Sequence, residues 1–329
     1  MVDPTAVSPT GGDSIARMRV TFLGTSGAVP TTQRNTSAVF VNRDGDRLLF
    51  DCGEGTQRQM MRFGTGFAID HLFVTHLHGD HVLGIPGLIQ TLDFNDRDAP
   101  LAIYAPHGTR SDLETLVDPT GATPSFPVRI NQVGPGDTVL KRGEYTIEAF
   151  RTSHRTTSVG YALVEDDRKG RFDREKAEGE LGIPPGVKYS KLHRGEPVEH
   201  DGRTIQPEEV VGPPRPGRKL VYTGDTLPAQ SVVAAAEDAD LLIHDATFAD
   251  DRGERAKQTG HSTGREAAEI ATAAEAKRLA LTHISTRYAG DASPIEREAR
   301  ERFDGETFVA EDGQQYAVPF PDEGEGTGR

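Results

Sequence analysis

The sequence has one cysteine, no tryptophan and only eight lysines among its 329 residues. A single thiol, Cys52, excludes an intramolecular disulfide framework and suits a reducing cytoplasm. There is no run of about 18 apolar residues, so no segment reads as a membrane span. Residues 1–17 lack the apolar stretch of a signal peptide and read as a loose extension, with translation from Met18 as the alternative. Residues 321–329 read as an acidic, frayed tail. Apolar residues make up 35% of the chain. That is enough for a sizeable core and excludes general disorder.

Basic charge is also short. Lys plus Arg is 37 against 51 for Asp plus Glu, a net charge of −14. Such a chain repels nucleic acid on average. An acid-rich, lysine-poor and arginine-rich balance fits a protein adapted to high salt, where screening removes the cost of self-repulsion. The alternative is an ordinary acidic cytosolic protein.

From Met18 the pattern becomes regular. MRVTFLG (18–24) alternates like a strand, and TSAVFVN (36–42) and RLLFD (47–51) flank an Asp44-Gly45-Asp46 hairpin turn. Residues 54–63 read as a helix stopped by Gly64. HLFVTH (71–76) reads as a buried strand, and residues 81–92 as a helix kinked by Pro86. Further strands are expected at 101–105, 128–131, 145–150 and 159–164. Residues 165–217, with two proline–glycine clusters and few periodic apolar positions, read as an inserted two-stranded or looped arm on a stalk. The pattern resumes with strands at 219–225, 241–245 and 279–283 and a helix at about 263–276. Several of these strands deliver His or Asp at their carboxyl ends, where α/β folds build sites.

The strongest chemical signal is Thr75-His76-Leu77-His78-Gly79-Asp80-His81, with four ligand-type residues in six. Zinc and similar ions take His nitrogen and carboxylate oxygen. In an extended start to the loop His76 and His78 share a side, while Asp80 and His81, after a glycine bend, point to a second location. The spacing suits two adjacent metals. More ligands are needed, and His154, Asp225 and His283 stand at strand ends. Each alone is as consistent with a core histidine or a loop aspartate; with the first motif they become ligand candidates. Asp225 could bridge, one oxygen to each ion, in a site that clamps an in-line displacement at phosphorus.

His76-x-His78-x-Asp80-His81, His154, Asp225 and His283 resemble the ligand set of the metallo-β-lactamase superfamily. Further segments resemble ribonuclease Z, the endonuclease that matures the 3′ end of tRNA. They are Ser26–Thr31 with Arg34-Asn35, Asp51–Gln57, His244-Asp245-Ala246-Thr247 and His261-Ser262-Thr263. The resemblance implies an α/β chain, residues 18–320, folded as a metallo-β-lactamase αββα sandwich with an inserted protruding arm (an exosite). It implies two Zn²⁺ per subunit, with Mn²⁺ as the alternative, precursor tRNA as substrate, a homodimer and a cytoplasmic location. In the roles the family assigns, Asp80 ligates a metal and orients or deprotonates the attacking water. His261 is the acid for the leaving ribose oxygen, held by a carboxylate from the His-Asp-Ala-Thr segment. That carboxylate is Asp245 where the family usually has Glu, so direct contact with His261 and a bridging water stay open. Otherwise His261 is a plain helix-start residue.

The resemblance places the tRNA-gripping exosite at residues 172–209. Charge agrees: residues 165–219 carry twelve basic and twelve acidic residues, so the whole deficit lies elsewhere. Lys188, Lys191 and Arg194 form a stretch with no acid, and with Tyr189 they are the candidate tRNA contacts. A solvated loop with scattered charge is the alternative. His71, His107, His193 and His200 lie outside any ligand spacing, and His244 reads as loop support. Competing functions are a small-molecule hydrolase of the same superfamily (phosphodiesterase, thioesterase or lactonase), a catalytically silent RNA-binding protein, and a redox di-iron protein. The arm, the Ser26–Thr31 loop, His261 and the complete ligand set favour the nuclease.

Overall fold

The alternation of MRVTFLG becomes the first strand of a two-sheet sandwich. The structure, a computed structural model, describes residues 18–121 and 123–322; the N-terminal extension and most of the expected acidic tail lie outside them. In chain order the strands begin with β1 (Met18–Gly24), β2 (Ser26–Gly27), β3 (Ala38–Arg43) and β4 (Asp46–Phe50). β5 (His71–Phe73), β6 (Leu101–Pro106), β7 (Val128–Val133), β8 (Thr138–Lys141), β9 (Tyr145–Arg151) and β10 (Val159–Glu165) follow. After β11 (Val198–His200) and β12 (Arg203–Ile205) come β13 (Lys219–Tyr222), β14 (Leu241–Asp245) and β15 (Arg278–Thr282). The last are β16 (Ile284–Ser285), β17 (Glu306–Val309) and β18 (Gln315–Val318).

One seven-stranded sheet has the order β18-β1-β3-β4-β5-β6-β7, the other β17-β15-β14-β13-β10-β9-β8. β4 through β7 are parallel, as are β13, β14, β15 and β17. Between the sheets, Val20, Phe22, Phe50, Phe73, Tyr161, Tyr222 and Ile243 form one buried cluster. Phe50 stacks on Phe73 at 5.0 Å, and the Tyr161 hydroxyl donates to the Val74 carbonyl at 2.8 Å. That bond lets a phenol sit in the dry interior without an unpaired polar group.

Strand alternation sends Leu49 and Leu72 to the outer face, where helices cover them. They are α1 (Thr56–Phe63), α2 (Gly79–Val82), α3 (Ile85–Phe94) and α4 (Arg110–Val117). α5 (Val187–His193) belongs to the inserted segment, and α6 (Gln230–Ala236), α7 (Gly253–Thr259), α8 (Gly264–Ala273) and α9 (Ser293–Arg300) complete the set. α6, α8 and α9 pack on the second sheet through Val232, Ala267, Ala271, Ile295 and Ala299. The layers are therefore α-β-β-α, as expected. No helix among the described residues is long and apolar enough to cross a membrane.

Three expectations need correction. The helix read at 81–92 is two helices broken at Leu83-Gly84. Pro86 lies in the first turn of α3, where its missing N–H costs nothing, so it starts a helix instead of kinking one. Gly84 packs against the Gly53 carbonyl, which a Cβ would approach to 2.0 Å. The helix read at 54–63 begins at Thr56, because Gly55 is left-handed. The inserted segment is more than a looped hairpin. The bridges Arg168↔Arg215 and Phe172↔Val211 make its stalk. Its head holds α5, the β11–β12 hairpin and a small core of Ala177, Ile183, Leu192, Val198, Ile205 and Val210.

Candidate metal centre

The predicted ligands all leave the carboxyl ends of strands facing the same end of the sandwich. β5 leads into His76 and His78, and α2 presents Asp80 and His81. β9 and β10 flank His154, β13 runs into Asp225, and β15 ends one residue before His283. His283 is held at a φ of 61°, in the left-handed region. It is accommodated by Gly27, where a Cβ would come within 2.8 Å of the His283 ring and carbonyl.

These residues form two adjoining clusters, one of His76, His78, His154 and Asp225 and another of Asp80, His81 and His283. Asp225 serves both. Its Oδ2 lies 3.5 Å from His76 Nε2 and 3.8 Å from His154 Nε2. Its Oδ1 lies 3.2 Å from both His81 Nε2 and His283 Nε2. His78 Nδ1 faces His76 Nε2 at 2.9 Å and His154 Nε2 at 3.2 Å.

The outer shell shows which nitrogens carry lone pairs inward. His81 Nδ1 donates to Asp51 Oδ2 at 2.7 Å, and His154 Nδ1 to the Gly260 carbonyl at 2.7 Å. Thr75 Oγ1 and Thr247 Oγ1 spend their protons on Asp51 and Asp245. They therefore accept from His76 Nδ1 at 3.1 Å and His283 Nδ1 at 2.9 Å. With four outer nitrogens assigned as donors by this network, four Nε2 lone pairs converge on carboxylate oxygens. Lone pairs facing lone pairs repel, and Asp225 Oδ1, buried, has no hydrogen-bond donor. A cation among them resolves both conflicts. The donors, imidazole nitrogen and carboxylate oxygen with ordered outer partners, suit divalent metal.

Without a cation, a proton on His81 is the other way to relieve that repulsion. Burial lowers His76, His78 and His154 below the usual histidine range, which favours the neutral, ligating form. Against the same burial, the Asp225 and Asp51 carboxylates raise His81 well above that range. Interaction with the surrounding histidines in turn holds Asp225 ionised despite its burial. The pocket is thus a strong attractor for positive charge.

Beside the clusters stands a His–Asp pair. His261 Nδ1 donates to Asp245 Oδ2 at 2.9 Å, which settles the contact that the shorter Asp side chain had left open. Asp245 also accepts from the Thr226 and Thr247 amides and the Thr247 hydroxyl. Burial lowers the His261 pKa, but the Asp245 carboxylate outweighs it and pushes it up to about 9. The ring lies 5.3 Å from that of His154 and 5.0 Å from that of His283, next to both clusters. α8 starts just after it, capped by Thr263 in a reciprocal box with Glu266.

Sequence reasoning missed several supports. Asp51 accepts from the Thr75 amide and hydroxyl, His81 and the Tyr222 hydroxyl, all buried. The Ala28 amide donates to Asp80 Oδ2 at 2.7 Å. Its loop is anchored by Asp312, which accepts from Thr25, Asn35 and Gln59. Asp51 ends a strand-to-loop segment and was legible there; an amide such as that of Ala28 leaves no sequence signal. His244 Nδ1 donates to the Asp245 carbonyl, as loop support. Burial pushes the Cys52 thiol up to about 12, so it is inert.

On the arm, the four candidate tRNA contacts differ. Lys191 and Arg194 are exposed. Lys188 Nζ donates to the Glu199 carbonyl. Tyr189 is turned into the head: its ring packs 4.5 Å from Phe172 and its hydroxyl donates to the Ile183 carbonyl.

Two family models match the chain: the anti-Pycsar protein Apyc1 over residues 18–169, and the beta-lactamase superfamily domain over residues 192–284. A protein named ribonuclease Z from Haloarcula marismortui is 72% identical over 305 residues, 93% of this chain and 98% of that one. Another from Myxococcus xanthus is 50% identical over 93% of this chain and 99% of its own. Human tRNase Z, short form, superposes with a TM-score of 0.67 at 29% identity, covering 92% of this chain and 100% of its own.

Proposed function

The chain belongs to the ribonuclease Z family, a tRNA 3′-processing endoribonuclease with the metallo-β-lactamase fold, and we propose that it cuts with two zinc ions and a His261–Asp245 proton donor. The observation that carries this reading is the Asp225 carboxylate, which turns one oxygen to each histidine cluster. His76, His78, His154 and Asp225 would hold one ion; Asp80, His81, His283 and Asp225 the other. Bound there, the pair supplies Lewis acidity and a water acidic enough to attack phosphorus at neutral pH. Mn²⁺ suits the same donors.

The chain's own groups do the rest. Asp80 orients the water and takes its proton; the Ala28 amide fixes the carboxylate that does so. As the new P–O bond forms, the bond to the ribose 3′ oxygen breaks. His261 Nε2 gives that oxygen a proton, while Asp245 holds Nδ1 and keeps the ring aligned. The products are a tRNA 3′-hydroxyl and a trailer with a 5′-phosphate.

The arm, residues 172–209, grips the tRNA away from the cut, with Lys191 and Arg194 on its exposed side and Lys188 and Tyr189 shaping it. A cytoplasmic homodimer completes the reading. Met61 on α1 and Phe94 on α3, 70% and 87% exposed, are apolar side chains that a second copy would cover.

Elemental analysis tests the metal centre. Two zinc ions per chain are expected, with cleavage lost on chelation and restored by Zn²⁺. One ion per chain, or cleavage indifferent to chelation, contradicts it.

A further inference from the structure

The stalk of the arm poses an electrostatic problem. Arg168 and Arg215 face each other across its two segments, exchanging hydrogen bonds of 2.7 and 2.9 Å between their backbones. Directly opposed residues of an antiparallel pair put their side chains on one face, and like charges there push the strands apart. Arg171, three residues further along, adds a third guanidinium.

The counter-charge comes from the far end of the chain. Asp322, at the start of the tail expected to fray, accepts from Arg168, from Arg215 Nη1 at 3.1 Å and from Arg171 Nη2 at 3.4 Å. Two residues earlier, the buried Phe320 ring lies under two cations. The Arg168 guanidinium is 3.4 Å from its centroid and that of Arg218 4.0 Å. Arg218 makes two side-chain hydrogen bonds of 2.8 Å to Glu165 at the end of β10, and Glu165 also accepts from Arg43 at the end of β3 at 2.7 Å. The segment after β18 thus ties the stalk to both sheets through one contiguous set of contacts.

We propose that Phe320 and Asp322 form a clasp that fixes the angle of the arm to the sandwich, making them positioning residues for precursor tRNA. This rests on the reading of the arm as the tRNA grip. The clasp has two parts of different salt sensitivity. Asp322, partly exposed, acts through charges that salt screens. Phe320, desolvated in contact with its cations, is little affected by ions.

Kinetics on the full-length protein test it, with a 3′-extended tRNA and a small phosphodiester as substrates. Asp322→Asn is expected to raise KM for the tRNA about fivefold in dilute KCl, with kcat held, and to lose the effect in concentrated KCl. Phe320→Leu raises KM at both salt levels, and Phe320→Tyr restores it. Hydrolysis of the small ester is unchanged throughout. Unchanged precursor KM in both variants, or equal losses on both substrates, overturns the clasp. A Lys191→Ala/Arg194→Ala control separates the two readings. If it leaves precursor KM unchanged, the arm is not the grip, and the positioning role falls with it. If it raises KM while the clasp variants do not, the clasp alone fails.

Discussion

At His261 two effects oppose each other. Burial disfavours the imidazolium, and the Asp245 carboxylate at 2.9 Å favours it more. In the proposed role, the folded site thereby keeps a protonated histidine ready for the departing alkoxide, whose conjugate acid is weak. Replacing that alkoxide with a thiolate removes the need for the proton. His261→Ala is expected to slow cleavage of an ordinary precursor by about two to four orders of magnitude. With a 3′-bridging sulfur at the cut, the loss should shrink to a small factor. An equal loss on both substrates assigns His261 to binding or metal support instead. Asp245 shows why residue type alone was insufficient: its short side chain left the contact undecided until the backbone around Thr223–Thr226 brought it close.

At the scale of elements, the strand-end ligand candidates were readable because chemistry and secondary structure coincide there. His76, Asp225 and His283 each follow an apolar strand, and each lies where that placement implied. Helix boundaries were less legible. The break at Gly84 follows from contact with the Gly53 carbonyl, which is distant in sequence and invisible in a local pattern. The arm was recognised as an insertion, yet its head was underestimated. Its core draws on residues scattered from Ala177 to Val210 among prolines and glycines, with no period to announce them. Because that core is separate from the sandwich, deleting residues 172–209 should leave the sandwich folded. We expect weaker precursor binding with hydrolysis of a small phosphodiester preserved, measured by filter binding and by steady-state assay. Unchanged precursor affinity refutes the exosite.

For the whole molecule, the −14 net charge looks at first like a barrier to any RNA partner. Its distribution says otherwise. Residues 165–219 are neutral, so the acidity lies outside the arm. The lysine-poor composition matches the high-salt kinship of the 72%-identical Haloarcula relative. In dilute buffer the sandwich repels both itself and tRNA; concentrated salt screens both effects. Under the proposed reading the arm and the metal centre then carry recognition. The central claim is tested most directly by mapping the cut on a 3′-extended tRNA precursor in concentrated KCl, with and without a chelator. The account predicts one metal-dependent cut beside the discriminator base, leaving a 3′-hydroxyl on the tRNA and a 5′-phosphate on the trailer. Stepwise trimming from the 3′ end, a cut elsewhere, or cleavage that survives chelation would contradict it.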